Sequence, residues 1–220
     1  MVKSCIMEEV IKLQHKDAEI TLNEIITLEI EQYIVKSLQS AYLSIDRLYH
    51  DPKHKILLCK IGDEVLPYIK RSAIAIFLKK YSSEIGGIYI NEELNTIKNC
   101  HHISIENLNC VITFNHTNRK KELPRKAIFR DNLIFDRQMR MDQVSENLVL
   151  LHEPKVYIMV THGGHNELGF INIGIPNSTG KTWEASRLIE LKQFEKTDIL
   201  QEVEQEEELL VSLLEEEKFE

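Results

Sequence analysis

The chain has 220 residues, of which 43% are hydrophobic, and it is long and apolar enough to fold around a sizeable core. Its formal net charge is −8, yet residues 195–220 alone carry eleven acidic and only two basic side chains. The remainder of the chain is close to neutral, so the overall acidity does not exclude a polyanionic partner.

Signals for export or membrane insertion are not evident in the sequence. Glu8 and Glu9 stand where a signal peptide would have its apolar centre. No apolar run approaches the roughly 20 residues that span a bilayer. The four cysteines are irregularly spaced, which is typical of reduced thiols rather than of a disulfide framework. We therefore expect a cytoplasmic protein without membrane association.

The N-terminal part of the chain has the spacing of amphipathic helices. Thr21 and Glu24 form a capping-box pattern, and apolar residues recur every three or four positions after it. Pro52 ends the pattern because proline cannot continue the helical hydrogen bonds. The spacing predicts one long helix over about 21–50, preceded by a shorter helix around residues 5–17.

A change of period later in the chain predicts a sheet. Residues 56–61 are a strand candidate, Asp63 caps a second helix that runs to about Tyr81, and 108–115 alternate as a strand does. Further short strand candidates are 127–129, 133–135 and 148–151. Helices first and strands later predict an α+β fold, with one long helix packed on a mostly antiparallel or mixed β-sheet.

Residues 155–175 have the pattern of a β-hairpin at the centre of the sheet. Apolar side chains alternate on both sides of Gly163-Gly164, where a tight turn comes at little steric cost. A two-residue loop at these glycines would place Val160 opposite Glu167. The face of Val160 would then carry Val156, Ile158, Ile171 and Ile173, and the other face Tyr157, Met159, Leu168 and Phe170. Both faces are apolar, so we expect the hairpin to be covered on both sides.

Histidines flank the predicted turn. As a cross-strand pair, His162 and His165 would have Cβ atoms ~5 Å apart, close enough to share a metal ion, with Glu167 or His116 as a third ligand. The same residues are also typical of a polar glycine turn with no metal. The candidate metal ligands are His162, His165 and Glu167.

A glycine-rich loop near the end of this region reads Gly174-Ile-Pro-Asn-Ser-Thr-Gly180-Lys181-Thr182. It resembles the Walker A loop of P-loop ATPases and GTPases, and it lies between a predicted strand and a predicted helix over 183–194. Five residues separate its glycines, where that family has four, and this alters the set of backbone N–H groups that wrap a phosphate. A degenerate P-loop protein is therefore one hypothesis.

The segment 117–140 is basic, with eight Lys and Arg against three acidic residues. It begins as a long loop after a predicted strand, so several cations would project from one end of the sheet and track phosphates. The candidate contacts for nucleic acid or another polyanion are Arg119, Lys120, Lys121, Arg125, Lys126 and Arg130. A solvated surface loop is the alternative interpretation.

The patterns divide the chain into an N-terminal helical segment over 1–53, an α+β core over 54–194 and an acidic amphipathic tail over 195–220. The tail has helical spacing and an apolar patch that favours a protein partner. The candidate partner-binding residues are Leu209, Leu210, Leu213 and Leu214. A solvated helix, or an acidic arm that folds back on the basic segment, are the alternatives.

No motif for nucleophilic catalysis and no nuclease signature is found in the chain. The leading hypothesis is a non-enzymatic cytoplasmic binding or regulatory protein without a cofactor, such as a bacterial or phage accessory protein, that contacts a protein partner through its tail. The second is a nucleic-acid-binding protein or a divergent metal-dependent nuclease that uses the basic segment. The degenerate P-loop protein is the third, and the oligomeric state is left open.

Overall fold

In the described part of the chain, a six-stranded mixed β-sheet with helices packed on it forms the centre of the structure. The computed structural model describes residues 18–50, 59–94, 101–134, 155–165 and 167–191. The described helices are α1 (18–25), α2 (Leu28–His50), α3 (Lys60–Tyr81) and α4 (128–134). The described strands are β1 (Tyr89–Leu94), β2 (His101–Glu106), β3 (Cys110–His116), β4 (Val156–Gly163), β5 (Phe170–Pro176) and β6 (Trp183–Ile189). The predicted α+β fold is confirmed.

The strands lie in the order β1-β2-β3-β4-β5-β6, and the β3–β4 pair is parallel whereas the other four pairs are antiparallel. A parallel pair needs a long crossover connection, which here starts with residues 117–134. The carboxyl ends of β3 and β4 therefore meet at the same edge of the sheet. The polar residues His116 and His162 lie at this edge.

The long helix predicted over 21–50 is interrupted. Residues 18–25 are helical, residues 26 and 27 are not, and α2 begins at Leu28. The prediction of a capping box at Thr21 is wrong, because Thr21 lies inside α1. Before α2 it is the hydroxyl of Thr27 that accepts from a backbone amide, that of Ile30 at 3.4 Å. α2 extends to His50, and the end predicted at Pro52 lies outside the described residues.

Arg187 of β6 holds this interruption in place. Its guanidinium donates to the Ile26 carbonyl at 3.0 Å, to the Asn23 side chain at 2.7 Å and to the Glu31 carboxylate at 2.6 Å. The first of these bonds satisfies a carbonyl at the helix break, and the third is charge-assisted. A residue more than 150 positions away in the sequence therefore fixes the break.

The second helix begins earlier than predicted. α3 starts at Lys60 after the N-cap residue Cys59, so Asp63 is not the cap. The strand predicted over 56–61 is wrong at residues 60 and 61, and residues 56–58 lie outside the described residues. A short apolar run fits a strand or a buried helix equally well, which explains the error. The predicted end at Tyr81 is confirmed.

Three helices pack on one face of the sheet, the helical face, and share one core with it. The buried residues of this core include Leu22, Ile34, Leu38, Phe77, Leu78, Ile105, Ile112, Ile158, Val160, Ile171 and Ile173. Within the helical layer the Tyr33 hydroxyl donates to the Leu78 carbonyl at 2.6 Å, and the hydroxyls of Ser40 and Tyr81 lie 3.1 Å apart. No described helix has the length and apolar content needed to cross a membrane.

The opposite face of the sheet, the back face, is covered at its centre by residues 117–134. Ile134, Tyr157 and Met159 are buried together there, with Leu123, Leu133 and Trp183 packed around them. The strands predicted at 127–129 and 133–135 are wrong where described, because residues 128–134 are helical. Residue 135 and the strand predicted over 148–151 lie outside the described residues. The central hairpin is thus covered on both faces, as predicted.

The hairpin has the predicted faces but a different register. Val160 pairs with Ile173 and His162 pairs with Ile171, so the strands are joined by a six-residue loop over 164–169. The predicted pairing of Val160 with Glu167 is wrong. The shift is an even number of residues, and side chains alternate with a period of two, so the residues within β4 and β5 keep their predicted faces. Leu168, predicted on the face of Tyr157 and Met159, lies in the loop and packs against the core of the helical face.

The helix predicted over 183–194 is wrong where β6 lies. Residues 183–189 were expected to start a helix, and they form a strand antiparallel to β5. Ala185 and Ile189 of this strand are buried against the helical face. Pairing with the exposed edge of β5 decides the conformation, since local propensity is a weak prior beside tertiary packing.

Candidate functional site

The described part of the basic segment, residues 117–134, packs against the back face instead of projecting from the sheet. The Trp183 indole donates to the Lys121 carbonyl at 2.7 Å, and Lys121 itself adopts a left-handed backbone with φ of 62°. Leu123 packs on the cluster formed by Tyr157 and Met159. These contacts fix the path of the segment, so its cations are presented from an ordered surface.

Arg130 stands apart from the other predicted contacts. Its guanidinium donates to the Asn115 side chain at 2.7 Å and to the Arg125 carbonyl, and it lies 5.0 Å from the ring centre of Phe129. Burial lowers the pKa of Arg130. Arg130 is therefore half-buried and anchors α4 to β3, so its charge is directed into the fold.

Five cations of this segment are exposed, and together they define the basic surface: Arg119, Lys120, Lys121, Arg125 and Lys126. None of the five forms an ion pair with another residue in the described part of the chain. Lys181 is also exposed, in the β5–β6 loop beside Trp183. Trp183 is bonded to the basic surface, which brings a sixth cation towards it from a separate hairpin.

A second group of charged and polar residues meets at the carboxyl ends of β3 and β4. This polar cluster consists of Tyr42 from α2, Lys70 from α3, His116 from β3 and His162 from β4. His116 and His162 are register partners, with ring centres 5.7 Å apart. In open α/β sheets, ligands bind at the carboxyl ends of parallel strands, and that is where this cluster lies.

His162 is the buried member of the cluster. Its Nδ1 shares a hydrogen bond of 3.0 Å with the Tyr42 hydroxyl, and 3% of its surface is exposed. Burial lowers the pKa of His162 to about 3, and the nearby His116 and Lys70 act in the same direction. His162 is therefore neutral at physiological pH.

Lys70 is a buried cation. Its Nζ donates to the Gly164 carbonyl at 3.2 Å and to the His165 carbonyl, and it lies 5.1 Å from the ring centre of Tyr42. Burial lowers the pKa of Lys70. No carboxylate among the described residues pairs with it. Among the described residues, Lys70 thus ties the β4–β5 loop to α3, and its charge faces two carbonyl dipoles and the Tyr42 ring.

His116 is the exposed member of the cluster. Partial burial lowers its pKa first, and the charge of Lys70 lowers it further, while a hydrogen bond with the Gly164 backbone opposes both. The Thr117 amide donates to the His162 carbonyl at 2.9 Å, which fixes the chain as it leaves β3. Through His116 the cluster reaches solvent, three residues before the basic surface begins.

The predicted metal ligands do not converge. His162 pairs with Ile171 across the hairpin, whereas His165 and Glu167 lie in the 164–169 loop. Within the described ranges, no group of three or more His, Cys, Asp or Glu side chains is placed to hold a metal ion. The predicted cross-strand pairing of His162 with His165 is wrong because the loop is longer than two residues. His116, the alternative third ligand, is the histidine that does approach His162.

The loop that resembles a Walker A sequence connects two antiparallel strands. Asn177 organises it: its side-chain oxygen accepts from the Lys181 amide at 3.1 Å, the Thr182 amide at 3.3 Å and the Thr179 hydroxyl at 3.0 Å. A phosphate-binding loop presents its N–H groups at the start of a helix, and here a strand follows. Two of the amides that would face a phosphate are already bonded to Asn177.

A groove of about 270 Å³ opens on the back face beside α4. It is lined by Glu93, Leu94, His102, Ser104, Glu106, Val111, Phe129, Asn132 and Leu133. The His102 ring stacks on Phe129 with centres 4.2 Å apart, and Glu106 pairs with Lys155 at 2.8 Å. With two carboxylates and no cation in its lining, the groove is unsuited to an anionic ligand.

The basic surface was predicted from the sequence, whereas the polar cluster as a group was not, although His116 and His162 were predicted as metal ligands. The eight Lys and Arg residues of segment 117–140 are evident from the sequence composition alone. Lys70 and Tyr42 sit in ordinary helical patterns, and nothing local connects them with the histidines. The predicted partner-binding leucines at 209–214 lie outside the described residues, as do Arg137 and Arg140.

The comparisons with known proteins do not extend this description. No family model, no curated protein and no solved structure matches the chain.

Proposed function

We propose that this protein binds nucleic acid through the basic surface. The observation that supports the proposal is the set of five exposed cations on an anchored segment, none of them paired with an acid in the described part of the chain. A phosphate backbone is a regular row of negative charges with condensed counterions, and Lys and Arg side chains that contact the phosphates release those counterions. Lys181 adds an exposed cation from the neighbouring hairpin.

The proposal is restricted to binding with little sequence preference. Phosphate contacts position a protein on nucleic acid, whereas base contacts specify the sequence. The basic surface consists of Lys and Arg on an irregular segment, and its aromatic neighbours Phe129 and Trp183 are engaged in internal contacts. Cleavage is not part of the proposal, because the described residues hold no ligand set for a catalytic metal.

Protein–protein contact through the acidic tail, and a cytoplasmic location, stay predictions from the sequence. The tail residues lie outside the described residues, so the basic surface has more direct support. The two proposals are linked, because an acidic tail on the same chain would compete with nucleic acid for the basic surface. A tail that covers the basic surface would weaken nucleic-acid binding.

Reversing two charges on the basic surface should weaken nucleic-acid binding strongly. For Lys120→Glu/Lys121→Glu we expect affinity for a labelled duplex to fall about 100-fold at low salt, because two phosphate contacts become repulsive. The slope of log affinity against log salt concentration should also become shallower by about 2. Fluorescence anisotropy with duplex DNA and single-stranded RNA, over a range of salt concentrations, measures both effects.

The matched control is Lys60→Glu/Arg71→Glu, which makes the same change in net charge on α3. Both residues are exposed there, on the opposite side of the sheet from the basic surface. We expect this variant to bind nearly as well as the unaltered protein. Equal loss of affinity in the two variants would show that net charge, rather than this surface, is responsible, and the proposal would then be wrong.

A further inference from the structure

We infer that Lys70 and His116 form a binding site for a single phosphate group at the carboxyl ends of β3 and β4. The site goes beyond the basic surface, since its two residues come from α3 and β3 and neither belongs to segment 119–126. The inference does not depend on nucleic-acid binding, because a free phosphate ester or inorganic phosphate presents the same oxygens.

The charge balance of the polar cluster is the first argument. Three basic side chains from three elements meet at this point: Lys70, His116 and His162. No described carboxylate pairs with Lys70, and an ammonium buried without a counter-charge is costly. A bound anion would supply the missing negative charge. A metal cation would be repelled by Lys70, so the cluster selects for an anion.

The available donors are the second argument. A lysine ammonium has three N–H groups, and hydrogen bonds to the Gly164 and His165 carbonyls account for two of them. His116 is exposed on the neighbouring strand, and its ring already hydrogen-bonds the Gly164 backbone, so its second ring nitrogen offers an N–H to a ligand when the ring is protonated. Phosphate carries several acceptor oxygens, so it can accept from both residues at once, and such charge-assisted bonds are strong. The neutral and buried His162 packs against the ring of His116.

Access is the third argument. The cluster opens to solvent at His116, and the chain leaves this residue directly into the basic surface. Arg119 is three residues further on, which places it within roughly 11 Å of His116 along the chain. The cations nearby would raise the local concentration of phosphate-bearing ligands around the opening.

Binding of inorganic phosphate to the full chain tests the inference. Isothermal titration at constant ionic strength, with chloride as the reference anion, should show phosphate binding to the unaltered protein. His116→Gln should bind phosphate about tenfold more weakly, because one charge-assisted hydrogen bond is lost. The control is His50→Gln, another exposed histidine, which should bind phosphate as the unaltered protein does. His116 is exposed, so its replacement leaves the core intact.

A second measurement follows the His116 ring itself by NMR. The pKa of His116 should rise when phosphate is added, since a bound anion favours the protonated ring. No phosphate binding above that of chloride, or equal binding by His116→Gln and His50→Gln, would overturn the inference.

The source of the phosphate is separated with a short oligonucleotide that lacks terminal phosphates. Weaker binding of both inorganic phosphate and this oligonucleotide by His116→Gln would assign the site to a nucleic-acid backbone. Weaker binding of inorganic phosphate alone would assign it to a free phosphate or phosphate ester. In either case Lys120→Glu/Lys121→Glu should still bind inorganic phosphate, so failure of the nucleic-acid proposal would be recognised separately.

Discussion

Replacing Gly164 with alanine should destabilise the protein by about 3 kcal/mol or more, one of the largest effects expected of any single substitution here. Gly164 has a φ of +139°, a conformation that side chains rarely adopt. A Cβ atom at this position would lie 1.9 Å from the Glu167 carbonyl oxygen and 2.8 Å from the Gly169 amide nitrogen. Backbone strain and two backbone clashes therefore act together.

Urea unfolding followed by circular dichroism measures this effect, with Gly86→Ala as the control. Gly86 has a conformation open to other residues, and a Cβ there would meet nothing within 4 Å. We expect the control to change the free energy of unfolding by no more than about 0.5 kcal/mol. Equal stabilities of the two variants would contradict the described conformation of the β4–β5 loop. The carbonyl of Gly164 also accepts from Lys70, so Gly164→Ala should weaken phosphate binding as well.

Acidification should destabilise the protein well above the pH at which its carboxylates titrate. Burial holds the pKa of His162 at about 3 in the folded protein, whereas an unfolded histidine titrates near 6.5. Below pH 6.5 the unfolded chain binds a proton that folded His162 does not, so stability falls as the pH drops towards 3. This one residue should cost about 3 kcal/mol between pH 7 and pH 4. The lowered pKa of His116 acts in the same direction.

The double variant Tyr42→Phe/His162→Leu isolates this contribution. It removes both partners of a buried hydrogen bond and leaves no unpaired group behind, so its stability at pH 7 should change little. Its stability should fall less steeply between pH 6.5 and pH 4 than that of the unaltered protein, and thermal unfolding across this range measures the difference. The single change Tyr42→Phe should keep the steep dependence. Parallel curves for the double variant and the unaltered protein would assign the acid sensitivity elsewhere.

The hairpin shows how far local pattern reaches in this chain. Alternation of apolar residues correctly assigned the two faces of β4 and β5, because side-chain direction follows the period of the strand. The register could not be predicted from the same pattern, since a shift of an even number of residues leaves every face unchanged. The four additional loop residues are what separate His165 and Glu167 from His162.

The basic surface could be predicted from local sequence, whereas the polar cluster could not. Adjacent cations such as Lys120 and Lys121 lie close together in any conformation, so composition alone identified them. Lys70 and His162 are 92 positions apart, and their approach depends on α3 packing over the ends of β3 and β4. The orientation of Arg130 also depends on tertiary packing, because its contacts with Asn115 and Phe129 direct its charge inward.

The sequence by itself determined the fold class, the end of α3, the faces of β4 and β5 and the location of the excess positive charge. Each of these depends on residues close together in the chain, through helical or strand periodicity or net charge. Only the tertiary structure decided the break before α2, the conformation of β6 and the polar cluster. Arg187 bonds across more than 150 residues, β6 forms because β5 offers an edge, and Lys70 is buried by a loop that the chain reaches much later. At these places the free energy gained from burial and hydrogen bonding between distant residues exceeds the small differences in intrinsic propensity, so the distant contacts decide the structure.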